Sequence, residues 1–210
     1  MKQSRVLLTG ASGLLGVALV EEFLKNGIDV AGQYFSNRPE DRGHCFWLQG
    51  DLGSRDGIRR FLRQHRDVIL KCDYLVNNYG PLTFKATGDL SIDDFLGDYF
   101  HNLAPAVEMT RFLVREGNLQ SVVNIGFEFA GQMKPYKKIL AYAAAKNALW
   151  LATLSYAEAF KPVRFNMVSP VTIEGAELPS PNNKRVSPQT VAEKVLRVIL
   201  SSESGSNFVI

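Results

Sequence analysis

Cysteine is nearly missing from this chain. Cys45 and Cys72 are the two thiols in 210 residues. Neither has metal-ligand spacing around it, so the sequence offers no disulfide framework and no metal site. Both sit in strand-like apolar stretches, the setting of buried, reduced thiols in a cytoplasmic protein. Long apolar runs are missing too. None approaches the ~20 residues that a membrane-spanning helix needs, and Met1 to Arg5 leads straight into a short strand without the apolar core of a signal peptide. Charge of one sign never accumulates. The net charge is +3, and the densest basic cluster, Arg55 to Arg66, is broken by Asp56, Ile58, Phe61 and Leu62. That cluster reads as the wet face of an amphipathic helix, not as a nucleic-acid surface. There is no repeat and no low-complexity segment. One Pro/Asn/Ser-rich stretch, 177–185, reads as a loop and not a domain linker. The absences therefore predict a partner that is neither nucleic acid nor membrane.

What remains is a chain with 46% apolar residues and the length of one α/β domain. Strand-like and helix-like segments alternate along it. Arg5–Thr9, Ile28–Tyr34, Cys45–Leu48, Asp73–Asn77, Ser121–Ile125, Val163–Val168 and Asn207–Ile210 have strand character. Helical spacing covers Gly13–Asn26, a segment that Ser54 caps and that ends near Arg66, and Ala141–Phe160. Ser91-Ile92-Asp93-Asp94 is a capping box that opens a long helix to Arg115, with an interruption expected near Asn102 to Pro105. Ser187-Pro188 starts a last helix. This alternation predicts a single domain, residues 1–210, built on a doubly wound parallel sheet of about seven strands with helices on both faces.

Two motifs carry the chemistry. Gly10, Gly13 and Gly16 follow the first strand and open a helix. Side chains there would block a pyrophosphate from the backbone, and the helix N-terminus supplies N–H groups and a positive dipole end. A structural turn without a ligand is the other reading of these glycines. About 130 residues later, Tyr142-Ala143-Ala144-Ala145-Lys146 places a phenol and an ammonium one helical turn apart. At the end of the second strand, Gln33-Tyr34-Phe35-Ser36-Asn37-Arg38 holds no acid to receive a ribose hydroxyl. Arg38, helped by Ser36 and Asn37, is suited to a ribose phosphate, which favours NADP(H) over NAD(H). Alternatively, Arg38 is a solvated loop residue.

In this order the motifs resemble those of the short-chain dehydrogenase/reductase family, over nearly the whole chain. Thr9, Gly10, Ser12, Gly13, Leu15 and Gly16 lie in a stretch like its glycine motif. Gly50-Asp51-Leu52 resembles the segment whose Asp binds near the adenine. Asn77-Asn78-Tyr79-Gly80 resembles its Asn-Asn-Ala-Gly, with Tyr for Ala. Asn102 matches the mid-helix Asn, and Tyr142 and Lys146 match the Tyr and Lys. Ser169-Pro170-Val171-Thr172, followed by Ile173, resembles the stretch beside the nicotinamide, with Val for Gly. The resemblance implies a Rossmann-type fold. It also implies an oxidoreductase that reduces a small carbonyl or C=N substrate by hydride transfer, or runs the reverse oxidation. Tyr142 would be the general acid, its high pKa lowered by Lys146. Lys146 would also hold the nicotinamide ribose, and Asn102 would hold a relay water. A homodimer or homotetramer built on the helices at 103–115 and 141–160 is implied as well.

Three departures qualify that implication. The family's Ser is absent: by motif its position falls at Phe127, by spacing near Glu128 or Phe129. Pteridine reductases, loosely similar relatives, carry an Asp there, so Glu128 either orients the substrate in its place or points to solvent. The substrate loop, 171–186, is short. After Asn207-Phe208-Val209-Ile210 the family's C-terminal ending has no counterpart. Three functions stay open: an NADP-dependent reductase, a dinucleotide-binding sensor or scaffold with little turnover, and an epimerase-like or dehydratase relative. The substrate pocket is expected along Pro81–Phe84, Phe127–Met133 and Thr172–Pro181.

Overall fold

The computed structural model describes residues 3–132, 134–177 and 184–210. Met133 and Leu178 to Pro181, expected to line the substrate pocket, lie outside the described residues. In chain order the elements are β1 (Arg5–Leu8), α1 (Leu14–Lys25), β2 (Asp29–Tyr34), β3 (Cys45–Gln49), α2 (Arg55–Gln64), α3 (Arg66–Ile69) and β4 (Tyr74–Asn77). They continue with α4 (Ile92–Glu116), β5 (Ser121–Ile125), α5 (Leu140–Ala159), β6 (Arg164–Ser169), β7 (Thr172–Ile173), β8 (Arg185–Val186), α6 (Pro188–Leu200) and β9 (Asn207–Val209).

Seven strands form one parallel sheet in the order β3-β2-β1-β4-β5-β6-β9. The period-2 alternation of β1 shows why helices cover both faces. Val6 and Leu8 point into one core, with Leu19 and Phe23 of α1 and Val191 and Val195 of α6. Leu7 points into the other, with Ile58 and Phe61 of α2 and Met109 and Leu113 of α4. The strand order reverses between β1 and β4. Ligands of open α/β sheets bind at such a switch point, beyond the strands' C-terminal ends.

Helix starts follow local chemistry. Ser54 Oγ accepts from Gly57 N at 3.1 Å, Ser91 and Asp94 form the capping box, and Ser187 Oγ accepts from Thr190 N ahead of Pro188. Two expectations are corrected. The helix opened at Ser91 is not interrupted at Asn102 to Pro105, because α4 runs unbroken from Ile92 to Glu116. Pro105 removes one N–H···O bond, and burial of Ala106, Met109 and Leu113 in the turns that follow outweighs it. The helix capped by Ser54 ends at Gln64 and resumes as α3 after His65, whose ring sits 2.9 Å from the Gln49 carbonyl at the end of β3. Among the described residues, no helix is long and apolar enough to cross a membrane.

Candidate active site

At the switch point β1 leads into the glycine turn. Gly10 adopts φ +64°, a left-handed conformation that glycine takes without strain. Gln33 at the end of β2 clamps the turn: its Oε1 accepts from Gly10 N at 2.8 Å and its Nε2 donates to Gly50 O at 2.7 Å. Thr9 Oγ1 accepts from the backbone N–H groups of Asn78 and Tyr79, both at 3.0 Å. Asn78 Nδ2 donates back to the carbonyls of Thr9 and Gly10. The ends of β1 and β4 are thus tied together by side chains drawn from both motifs.

A cavity of about 430 Å³ opens above this turn. Gly10, Ser12, Gly13 and Leu15 form its base, and Asp51, Leu52, Asn78 and Gly80 stand in its walls with Gln33, Tyr34, Phe35 and Tyr79. Helix α1 points its N-terminus here. Gly13 supplies no side-chain cap and the first turn holds no acid, so the first N–H groups and the positive dipole end face the cavity. These residues fit a dinucleotide's pyrophosphate. Asp51 is already engaged, its Oδ1 with Gly53 N and its Oδ2 with Ser54 Oγ.

Gly80 joins this cavity to the second group. A Cβ on Gly80 would stand 2.3 Å from Asn102 Oδ1 and 3.2 Å from Lys146 Nζ. Asn102 Nδ2 donates to Pro81 O and Asp98 O, whereas its buried Oδ1 has no hydrogen-bond partner among the described residues. That orphaned acceptor is the sort of atom a bound group satisfies. Lys146 Nζ lies 5.5 Å from the centroid of the Tyr142 ring and donates to Ile125 O at 2.8 Å. Burial lowers its pKa to about 8, so the ammonium persists at neutral pH and is lost above that point. The Tyr142 phenol is pushed above its ordinary value, first by burial and then by the Asp98 carboxylate. The expected lowering by Lys146 is therefore not seen. Lys146 donates one of its protons to Ile125 O, and burial and the Asp98 carboxylate set the direction of the phenol's shift.

The other expected site residues are placed as follows. Phe127, at the family's Ser position by motif, packs edge-on against Tyr142 at 5.7 Å. Glu128 is partly exposed, and its charge raises the Tyr136 phenol's pKa together with burial, the larger cause. Arg38 pairs with Asp41 at 2.6 Å on the surface. It stands outside the cavity wall, as do Ser36 and Asn37. Pro170 is buried at the end of β6. Thr172 and Ile173 form β7, which pairs with Arg185 and Val186 of β8.

Sequence reasoning missed three contributors. Asp98 is a buried acid one turn before Asn102 on the same face of α4, and it accepts from both Thr83 N and Thr83 Oγ1. Its i, i+4 spacing from Asn102 was a readable signal. Gln33 carried no local signal. Nor did the pair in which Ser169 Oγ donates to Asn207 Oδ1 while Asn207 Nδ2 donates to Ala130 O.

Residues 4–186 match the family model described as short chain dehydrogenase. The glucose 1-dehydrogenase of Gluconobacter oxydans is 27% identical over 189 residues, spanning 80% of this chain and 69% of its own. The 3-oxoacyl-acyl-carrier-protein reductase of Chlamydia pneumoniae is 29% identical over 196 residues, spanning 81% and 73%. Among solved structures, a 4-hydroxyisoleucine dehydrogenase complexed with NADH superposes with a TM-score of 0.86 at 23% identity, over 99% of this chain and 96% of its own. An enzyme of Clostridium thermocellum superposes equally well at 21% identity, over 100% and 91%.

Proposed function

The chain belongs to the short-chain dehydrogenase family, and on that premise we propose that it is an NADP(H)-preferring reductase of a small carbonyl or C=N compound. The observation that carries the reading is the Tyr142–Lys146 pair, 5.5 Å from ring to ammonium, set one glycine away from a cavity suited to a dinucleotide. The bound cofactor supplies a hydride. The α1 N-terminus and Gly10–Gly16 would hold its pyrophosphate, Lys146 its nicotinamide ribose, and Asn102 a water that relays the proton. As hydride reaches the carbonyl carbon, negative charge develops on oxygen, and the Tyr142 hydroxyl donates the proton that neutralises it.

A keto substrate or its alcohol suits the reading, in line with relatives named glucose 1-dehydrogenase and 3-oxoacyl-acyl-carrier-protein reductase. Phosphate preference rests on the cavity wall at the end of β2, where no carboxylate stands, and on Arg38 nearby. Its pair with Asp41 is exposed and worth at most about 1 kcal/mol, so exchange for a ribose phosphate costs little. Arg38→Ala is expected to weaken NADPH binding about tenfold and NADH binding by less than about twofold, read by nucleotide fluorescence.

The deciding experiment titrates the protein with NADPH and NADH, then follows NADPH absorbance with quinones, diketones and dihydropterins. Turnover on any class supports the reductase. Glu128→Ala then tests whether that carboxylate orients the substrate: a kcat loss of about tenfold or more assigns it the role, and an unchanged kcat removes it. Binding without turnover favours the sensor or scaffold reading, which Phe127 at the Ser position supports. For the reductase, kcat/KM is expected to fall above a pH of about 8 as the Lys146 ammonium is lost. A flat profile through that range would detach the lysine's charge from the reaction.

Cys45, its thiol pushed up to about 12 by burial, and Cys72, whose Sγ donates to Val68 O at 3.6 Å, suit a reducing cytoplasm. Leu96 of α4 and Leu151 and Leu154 of α5 are exposed on the single chain. That supports a homodimer, or a homotetramer containing it, across these helices.

A further inference from the structure

A second cavity lies away from the nucleotide site. It is a groove of about 610 Å³, open to solvent, between α2–α3 on one side and α4 on the other. Its floor is apolar: Ile58 and Leu62 of α2 face Phe100, Ala104 and Phe112 of α4. Its rim is cationic, with Arg55, Arg59, Arg63 and Arg66 along one wall and Arg111 on the other. Five arginines thus stand against one lining acid, Glu108.

Local stability does not explain the rim. Arg55, Arg59 and Arg63 follow one another at i, i+4 on α2, where like charges cost roughly 0.2–0.5 kcal/mol a pair. Intramolecular pairing relieves only part of the charge. Arg59 reaches Asp56 at 3.6 Å, Arg66 meets Glu116 at 2.6 Å, and Arg111 meets Glu108 at 2.7 Å. Arg55 and Arg63 have no ion-pair partner among the described residues. The Arg66 guanidinium also lies 5.5 Å from the Phe112 ring centroid, bridging the walls at one end. What sequence alone presents as a wet helix face is one wall of a groove.

We propose that this groove docks an acidic amphipathic helix of a partner protein. Dimensions, shape and charge all select it. Arg55 to Arg66 and Phe100 to Phe112 each cover about three helical turns, a length of roughly 17 Å. A third helix laid between two others packs its apolar stripe on such a floor, and Ala104 in the middle lets the backbones approach. Acidic flanks then meet the guanidinium rims on both sides. A small anionic amphiphile would keep much of its surface in water in a groove this open. A second copy brings the same five arginines and meets repulsion.

The test uses a fluorescein-labelled peptide of about 16 residues, with leucines on one helical stripe and glutamates on the flanks, and a scrambled peptide of identical composition. Fluorescence anisotropy is read at about 0.15 M salt, so that diffuse ion exchange is screened. The striped peptide is expected to bind at least about tenfold tighter than the scrambled one. The double variant Arg59→Glu/Arg63→Glu is expected to lose that affinity, and Arg59→Gln/Arg63→Gln to lose part of it. NADPH binding should stay unchanged in both, since neither arginine touches the nucleotide cavity. Equal binding of the two peptides, or binding that survives the charge reversal, overturns the proposal. So does a changed oligomeric state of the charge-reversed protein in sedimentation, which would assign the groove to a second copy. Saturable binding of decyl sulfate in isothermal titration, with no affinity for the striped peptide, would assign it to a small amphiphile instead.

Discussion

Tyr142→Phe is expected to lower the rate of hydride transfer by about 10²–10⁴, the usual worth of a positioned general acid, while NADPH affinity changes by less than about threefold. The substitution removes one hydroxyl and leaves the ring, so the edge-on contact with Phe127 and the neighbouring Lys146 ammonium remain. At about 1.36 kcal/mol per tenfold, the loss is some 3–5 kcal/mol of transition-state stabilisation with almost no ground-state counterpart. Residual activity comes from proximity, which the glycine turn and Asn102 still provide. Single-turnover decay of NADPH absorbance measures it without interference from product release. An unchanged rate would take the proton donor's role away from Tyr142. Normal binding with no wild-type turnover on any substrate class would return the chain to the sensor reading.

Gly16→Ala is expected to be the most damaging single methyl in the chain. Its Cβ would stand 2.2 Å from the Gly10 carbonyl oxygen, with Ala11 backbone atoms at 2.7 and 2.8 Å. Every atom met is backbone, so no side chain can swing aside. Either α1 retreats from the glycine turn or the turn unwinds. We expect a loss of about 3 kcal/mol, at the upper end for overpacking. In a domain this size that is a fall in Tm of roughly 6–12 °C. Nucleotide affinity should fall by at least about tenfold, because the N–H groups at the start of α1 move with the helix. Gly13→Ala separates the two effects. A Cβ there meets only Gly10 O, at 3.4 Å, an ordinary contact, yet Gly13 lines the cavity. It should keep its Tm within about 2 °C and still bind nucleotide poorly. Unimpaired binding in Gly13→Ala would mean that the turn is structural and holds no pyrophosphate.

Much of this molecule is readable residue by residue. Val6, Leu7 and Leu8 alternate between two cores because strand side chains alternate. Ser54, Ser91 and Ser187 announce helices because their side-chain oxygens satisfy N–H groups that a helix leaves unpaired. The spacing of Gly10, Gly13 and Gly16 after a strand, and of Tyr142 and Lys146 within a helix, follows from backbone geometry in the same way. Pro105 misled because proline's helix-breaking cost is local, whereas the burial of Ala106, Met109 and Leu113 that overrides it comes from other segments.

Sequence by itself thus determined the element order, the sheet's doubly wound class and the two chemical motifs, since each depends on groups within a turn or two of one another. Tertiary structure alone decided the rest. It put Gln33 on Gly10, brought Asp98 close enough to raise the Tyr142 phenol's pKa, turned Arg38 toward Asp41, and set Phe100 and Phe112 opposite the arginines of α2. Hydrogen-bond partners, desolvation and electrostatic fields are set by whatever the topology brings near, and residues tens of positions apart carry no mark of that nearness in their order along the chain.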